Sequence, residues 1–190
     1  MNSHSNLTDI AKQYTSMNRL AEKSHIVFFG SDILSRMQTG ELSDSFRLSE
    51  IIYNRSLAGA TLEEATTLLE PCVLEIVPQK VFLEIGDTDI QQDGFDADMF
   101  LSRYEWMLYT IHCKTHARIY ILSVREENRT EEEINRRLKK LAEESGCKFI
   151  DITKEQTEED EEIRVFERLL CYLRNGKVSF CEAMMRVTAF

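Results

Sequence analysis

The sequence lacks several features that mark common classes of protein. It has no run of 18 apolar residues, so we predict no membrane-spanning helix, and residues 1–6 are polar, unlike a secretory leader. Cationic residues are outnumbered: the net charge of −10 argues against a nucleic-acid or anionic-membrane surface, which would be basic. No Cys-x-x-Cys pair is present, so we expect no zinc or redox motif. We therefore predict a cytoplasmic protein that has no cofactor and binds neither nucleic acid nor membrane.

The chain length limits the number of domains, and the cysteine pattern indicates the state of the thiols. With 190 residues, 43% of them hydrophobic, the chain is long enough for one well-buried core and short for two, so we predict a single domain over residues 1–190. The cysteines are odd in number, widely spaced and set among apolar residues, and we expect buried free thiols. They are Cys72, Cys113, Cys147, Cys171 and Cys181.

Short apolar runs alternate with stretches of helical periodicity along the whole chain. The apolar runs predict five strands, over residues 26–29, 51–53, 81–85, 117–123 and 147–152. Helices are predicted over residues 7–23, 61–77, 96–114, 130–145 and 163–174, with a helical turn and a loop in 33–49 and a short terminal helix in 180–187. Strands that alternate with helices indicate an α/β fold, a parallel sheet with helices on both faces.

Local signals fix several helix ends. Thr61 with Glu64 is predicted to form a capping box, and Thr130 with Glu133 a second one that opens the next helix. Gly146 is placed where a helix ends in a left-handed residue. Pro71 interrupts the 61–77 helix, either as a kink or as the first residue of a new segment.

The residues after the first predicted strand are the best candidates for a site. Residues 26–29 are apolar without alternation, which is typical of a central parallel strand buried on both faces. Gly30 permits a sharp exit from it, and Ser31 and Asp32 follow directly. Because open α/β sheets bind ligands beyond the carboxyl ends of their strands, we expect a binding crevice at these residues.

Three segments resemble the conserved blocks of the SGNH (GDSL-type) hydrolases, which are esterases and lipases on a flavodoxin-like three-layer α/β/α sandwich. They are Val27-Phe-Phe-Gly-Ser-Asp-Ile33, Asn54-Arg-Ser-Leu-Ala-Gly-Ala-Thr61 and Phe82-Leu-Glu-Ile-Gly-Asp-Thr-Asp89. The resemblance implies a nucleophile at Ser31 or Asp32 and an oxyanion hole formed by the N–H of Gly59 and by Thr88. It also implies a pocket lined by Gly30, Gly86, Asp87 and Asp89.

The departures from the family pattern fall on the catalytic positions. In an ungapped alignment Asp32 stands where the family has its nucleophilic serine, Ser31 stands where it has an aspartate, and Thr88 replaces an asparagine. The family's Asp-x-x-His block has no counterpart in residues 155–190, because the histidines are His4, His25, His112 and His116. A serine needs an adjacent base to become nucleophilic. We therefore expect a catalytically degenerate protein that binds a small molecule or a protein partner on an esterase scaffold.

Two alternatives remain open. In the first, the chain is an active esterase that uses Ser31, with a base from His25 or from the pair His112 and His116, although we expect all four histidines to be surface or packing residues. In the second, strand ends provide oxygen ligands for Mg²⁺ or Ca²⁺. Its candidate residues are Asp32, Asp87, Asp89 and Asp151, with Ser123 and Lys154 nearby. Against it, Asp89 is expected to cap the following loop and Asp87 to be exposed.

Aromatic residues on the 96–114 helix are the candidates for a partner surface. Trp106 and Tyr109 lie off its apolar stripe, so they line either a partner surface or the flank of the helix. The pattern favours flank packing. The amino-terminal helix and residues 180–190 are further candidates for contacts in a possible homodimer.

Overall fold

Five parallel strands form one sheet in the order β2-β1-β3-β4-β5. This computed structural model describes residues 3–155 and 160–174, with side chains from residue 6. The strands are β1 (Ile26–Gly30), β2 (Ile52–Asn54), β3 (Lys80–Glu84), β4 (Arg118–Leu122) and β5 (Lys148–Ile150). The prediction of a five-stranded parallel sheet is confirmed.

Helices connect the strands and cover both faces of the sheet. They are α1 (Ser3–Asn18), α2 (Ile33–Arg36), α3 (Thr39–Ser45), α4 (Leu62–Leu69), α5 (Asp87–Ile90), α6 (Ala97–Lys114), α7 (Arg129–Glu144) and α8 (Glu161–Leu173). One hydrophobic core lies between the sheet and helices α4, α6 and α7, with α1 packed at its edge. The second lies between the sheet and helices α2 and α8. Across the described residues, no helix combines the length and the apolar character needed to cross a bilayer.

The burial of strand β1 on both faces explains why apolar and polar residues do not alternate in residues 26–29. Val27 and Phe29 project into one core and Ile26 and Phe28 into the other, and all four side chains are buried. Both faces of the strand are therefore removed from water. This is the arrangement that an uninterrupted apolar run predicts for the middle of a parallel sheet.

Several predicted boundaries need correction. The first helix spans residues 3–18, not 7–23, and the 33–49 region contains two short helices, α2 and α3. Of the two alternatives for Pro71 the second is nearly right: a separate π-helical segment, Glu70–Leu74, follows α4 directly, and Pro71 is its second residue. The predicted turn and helix within residues 175–190 lie outside the described residues.

The capping predictions have mixed outcomes. The Thr61 hydroxyl accepts from the Glu64 N–H and the box closes as predicted. Gly146 has φ +67° just past α7, as a left-handed terminal residue should. The box at Thr130 is wrong: the N-cap of α7 lies two residues earlier, at Asn128, whose side chain accepts backbone N–H groups and whose N–H donates to the Glu131 carboxylate.

The exposure of several side chains also differs from expectation. Cys72 is buried, but Cys113 is exposed and Cys147 and Cys171 are half-buried, so the prediction of uniformly buried thiols is wrong. Cys181 lies outside the described residues. Trp106 and Tyr109 are 55% and 66% exposed, so they do not pack against the flank of a neighbouring helix.

Candidate functional site

Ser31 follows β1 at the carboxyl edge of the sheet, but its side chain points into the protein. The residue is 3% exposed, and its Oγ lies 3.5 Å from the Glu84 carbonyl oxygen. The Ser31 N–H donates to the same carbonyl at 2.8 Å. The hydroxyl group therefore lies against the backbone of the neighbouring strand β3, where a substrate carbonyl has little access to it.

The Gly59 N–H, which the family resemblance assigns to an oxyanion hole, already forms a hydrogen bond within the protein. Gly59 adopts φ +71°, and its N–H donates to the Ser31 carbonyl oxygen at 2.8 Å. This bond holds the loop after β2 against the loop after β1. Thr88, the other predicted oxyanion-hole residue, lies half-buried in the short helix α5. An oxyanion at this edge would have to displace the Gly59 bond before that N–H could stabilise it.

The histidines whose side chains are described lie at the opposite edge of the sheet. His25 precedes β1 and Ser31 follows it, a separation of roughly 20 Å along a strand. His112 is in the last turn of α6, with Nε2 3.1 Å from the Ser145 carbonyl oxygen, and His116 precedes β4. A general base must come within about 3 Å of the proton that it takes. These three histidines do not meet that condition.

Asp32, at the nucleophile position of the resemblance, is held between two arginines. Its Oδ2 lies 3.4 Å from a terminal nitrogen of Arg125, which follows β4. Its Oδ1 lies 3.6 Å from Nε of Arg36, one helical turn further along the chain. The Asp32 side chain is 33% exposed, so it is reachable from solvent but paired on both sides.

Glu161, at the start of α8, joins the two arginines. Its Oε2 accepts from Arg125 at 3.1 Å, and its Oε1 accepts from Arg36. Glu162 accepts a further bond from Arg36 at 2.6 Å. Burial alone would raise the pKa of Glu161, but hydrogen bonds from Arg36 and Arg125 lower it. After β5, where the resemblance places an Asp-x-x-His block, this chain thus provides a carboxylate that closes an ion-pair network.

A buried carboxyl pair lies beneath this network. Glu84, the last residue of β3, is fully buried, and its Oε2 accepts from the N–H groups of Asp32 at 3.0 Å and Leu34 at 3.3 Å. Asp87 accepts the Arg125 N–H at 2.9 Å through Oδ1. The remaining oxygens of the pair, Glu84 Oε1 and Asp87 Oδ2, have no N–H or O–H donor from other residues, and the two side chains are hydrogen bonded to each other. The prediction that Asp87 is exposed is wrong.

The protonation state of this pair follows from its surroundings. Burial, and then the charge of Asp87, raise the pKa of Glu84 well above its ordinary value. Burial also raises the pKa of Asp87. Two carboxylates this close cannot both ionise cheaply, so the pair keeps one proton. We assign that proton to Glu84, which donates it to Asp87, because Glu84 is the more deeply buried group.

Gly30 and Gly86 serve close packing at this edge. A Cβ on Gly30 would lie 2.6 Å from Glu84 Oε2 and 2.9 Å from the Glu84 carbonyl oxygen. Gly86 adopts φ +145°, and a Cβ there would lie 2.9 Å from Val124 Cγ1. Both glycines let neighbouring groups approach the backbone closely. The space beside both glycines is therefore filled by protein atoms and is not available to a ligand.

The aspartates proposed as metal ligands turn to different partners. Asp89 caps α4, the preceding helix, and not the following loop as predicted: its two oxygens accept the Leu62 N–H at 2.9 and 3.1 Å. Burial raises the pKa of Asp89 to about 6. Asp151 is exposed and bonds to Thr153. Within the part of the chain that the structure describes, no three His, Cys, Asp or Glu side chains are grouped to hold a metal ion.

The other two residues of the metal hypothesis are also placed apart from a ligand cluster. The Ser123 side chain is fully buried and its Oγ accepts the Ile152 N–H at 2.9 Å. Lys154 is exposed beside the start of α8 and lines a shallow cavity of about 310 Å³ together with Arg164 and Glu167. Both residues lie after their strands as the sequence predicts, but neither meets Asp32.

Several residues of this edge were not singled out from the sequence, among them Glu84, Arg125 and Glu161. Glu84 had a usable signal, because a carboxylate in an otherwise apolar central strand must find a partner or a proton. Arg125 and Glu161 had none, because they lie 93 and 129 residues from Asp32 in ordinary polar stretches. Only the fold brings them to the same point.

Comparisons with known proteins agree with this architecture. No protein-family model and no curated protein matches the sequence. Among solved structures, a protein from Streptococcus pneumonia, provisionally described as a platelet activating factor, superposes with a TM-score of 0.75 at 18% identity, over 88% of this chain and 92% of that one. A GDSL-like lipase from Bacteroides thetaiotaomicron gives 0.67 at 14% identity, over 85% and 95% of the two chains. An acetylxylan esterase from Geobacillus stearothermophilus gives 0.66 at 15% identity, over 82% and 96%. The chain therefore has the fold of the SGNH (GDSL-type) hydrolases.

Proposed function

We propose that this protein is a catalytically degenerate form of the SGNH hydrolase scaffold, with a binding or interaction role in place of ester hydrolysis. The observation that carries the proposal is the occupant of the nucleophile position. Asp32 stands there, paired with Arg36 and Arg125, and Glu161 closes the network from α8. A carboxylate flanked by two guanidinium groups is a poor nucleophile, because the nearby positive charges stabilise its negative charge.

The chemistry of acyl transfer supports the same proposal. A serine hydrolase needs an accessible hydroxyl, a base beside it and free N–H donors for the oxyanion. Here the Ser31 hydroxyl is buried, and the Gly59 N–H is bonded to the Ser31 carbonyl. If Asp32 attacked an ester directly, hydrolysis of the resulting intermediate would still need a base to activate water.

An activity assay tests the proposal directly. The purified full chain is incubated with a short-chain aryl ester, and a fluorophosphonate probe is used in parallel to label any activated serine. We expect hydrolysis at the buffer rate and no label. Ser31→Ala and Asp32→Asn remove the two candidate nucleophiles. Ser102→Ala is the matched control, because Ser102 is an exposed serine on the outer side of α6.

Two results would overturn the proposal. The first is turnover that Ser31→Ala abolishes and Ser102→Ala leaves unchanged, which would make Ser31 the nucleophile of an active esterase. The second is turnover that survives Ser31→Ala and is lost in Asp32→Asn, which would make Asp32 a carboxylate nucleophile. Thermal unfolding of each variant shows whether a lost signal reflects chemistry or loss of the fold.

A further inference from the structure

The outer face of α6 carries large side chains that are mostly exposed in the part of the chain that the structure describes. Met99, Trp106 and Tyr109 are 51%, 55% and 66% exposed. Ser102 and Cys113 complete the row and are also exposed. We call these five residues the α6 seam. It lies opposite the side of α6 that faces the core, where Phe100, Tyr104, Met107, Leu108 and Ile111 are buried.

The spacing of the α6 seam is that of a helix that packs against another helix. Its members follow one another at intervals of three, four, three and four residues, the a and d positions of a heptad. No charged residue interrupts the row. A single exposed apolar side chain needs no explanation, but a continuous row that includes Trp and Tyr is typical of an interface.

The charge distribution identifies the partner. Helices α6 and α7 together carry seven cationic and seven anionic residues, so none of the net charge of −10 resides on them. Two copies of an acidic chain repel each other over most of their surfaces. Because the α6–α7 layer carries no net charge, a second copy can approach this face without that repulsion, and a second copy is the partner that we assign to it.

We propose that the chain forms a homodimer through the α6 seam, with the two α6 helices antiparallel about a two-fold axis that passes midway between Trp106 and Tyr109. In this arrangement Trp106 of each copy packs against Tyr109 of the other, and Ser102 faces Cys113. Each contact occurs twice, as an isologous interface requires. Glu105, on the flank of the seam, comes beside His112 of the second copy and adds a pair of opposite charge when the imidazole is protonated.

The size of the face is sufficient for such a contact. Helix α6 has 18 residues and is therefore about 27 Å long. Helix α7 runs beside it, and the two border a groove of about 490 Å³ that is lined by Leu101, Leu141 and charged residues of both helices. Two adjacent helices, each about 10 Å across, present a face of about 27 by 20 Å, so two copies would bury roughly 1,000 Å² in total, the lower limit for a specific interface.

The dimer can be tested on the full chain, because Trp106 is the only tryptophan. Its emission reports the seam alone. We expect a concentration-dependent blue shift of that emission, together with a dimer in sedimentation equilibrium. Tyr109→Glu should raise the dissociation constant about 30-fold or more and abolish the shift, because an aromatic anchor at the centre of an interface is a hot spot. Leu20→Glu is the matched control, since Leu20 is 90% exposed and lies outside α6 and α7.

A second variant tests the antiparallel register. In Ser102→Cys, the introduced thiol should form an interchain disulfide with Cys113 under copper–phenanthroline oxidation, and Cys113→Ser in the same background should remove it. A chain that stays monomeric at every concentration, with unshifted emission, would overturn the proposal. So would a dimer that Tyr109→Glu leaves intact. A disulfide between two Cys113 thiols with none to the introduced thiol would contradict the antiparallel arrangement.

Discussion

The buried Glu84–Asp87 pair makes the stability of this protein depend on pH in a defined direction. Glu84 is fully buried, and its pKa is raised well above the ordinary value, chiefly by burial and then by Asp87. In the unfolded chain both carboxyls ionise near pH 4, whereas the folded pair keeps one proton. The folded state then binds more protons than the unfolded state, so the free energy of unfolding falls as pH rises toward the folded pKa of Glu84.

The magnitude follows from the single proton involved. Each pH unit within that window removes up to about 1.4 kcal/mol of stability, so two units remove up to about 2.7 kcal/mol. Glu84→Gln keeps the geometry without the proton: its oxygen can accept from the Asp32 and Leu34 N–H groups, and its NH₂ can donate to Asp87. We expect the free energy of unfolding of this variant to be nearly flat between pH 5 and 7, apart from the titration of other groups.

Chemical denaturation at a series of pH values measures this difference. The quantity to follow is the stability of Glu84→Gln minus that of the wild type, which should increase with pH. Glu63→Gln is the control, because Glu63 forms only an exposed ion pair with Arg103 and its difference should stay constant. Glu84→Ala should lose roughly 3–5 kcal/mol at pH 5, because it leaves two N–H groups and the Asp87 Oδ2 without a partner, and this loss should shrink as pH rises. A pH-independent difference for Glu84→Gln would refute the assignment of the proton.

Further predictions concern three other buried or paired groups. Burial raises the pKa of Asp89 to about 6, so the wild type should lose stability relative to Asp89→Asn as pH rises from 4 to 6. The loss should be less than about 1 kcal/mol, because Asp89 is part-exposed. Lys80→Met should lower the free energy of unfolding by roughly 2–4 kcal/mol and speed amide exchange at the end of α8. The Lys80 ammonium donates there to three carbonyl oxygens at 2.7, 2.8 and 3.2 Å. Millimolar Mg²⁺ should leave the Tm of the wild type and of Asp32→Asn unchanged, and a rise lost in the variant would support the metal hypothesis.

The fold was predictable because its determinants are local and repeated. The apolar run at residues 26–29 and the caps at Thr61 and Gly146 can each be recognised from a few neighbouring residues. Where two local signals overlap, the sequence is less decisive. Both Asn128-x-x-Glu131 and Thr130-x-x-Glu133 fit the start of α7. The structure uses the first, which lets the Glu131 carboxylate accept the N–H groups of Glu127 and Asn128.

The site was only partly predictable, because its chemistry depends on contacts between distant segments. Sequence order places Ser31, Asp32 and Asp87 at strand ends, and the structure finds them there. Sequence order does not reveal that Ser31 turns inward, that Gly59 bonds to the Ser31 carbonyl, or that Arg125 pairs with Asp32. These facts depend on side-chain directions and on the register between strands, which no local pattern encodes.

The same contacts explain how the fold accommodates Ser31 and Asp32 at the positions that the family resemblance assigns to catalysis. The turn after β1 needs an acceptor for its N–H groups, and buried Glu84 provides one from the neighbouring strand. The carboxylate of Asp32 needs compensating charge, and Arg125 provides it from the loop after β4. Once those needs are met by groups within the fold, neither a catalytic hydroxyl nor an imidazole is required to hold the edge of the sheet together. The stability of this edge therefore does not depend on the groups that ester hydrolysis would need.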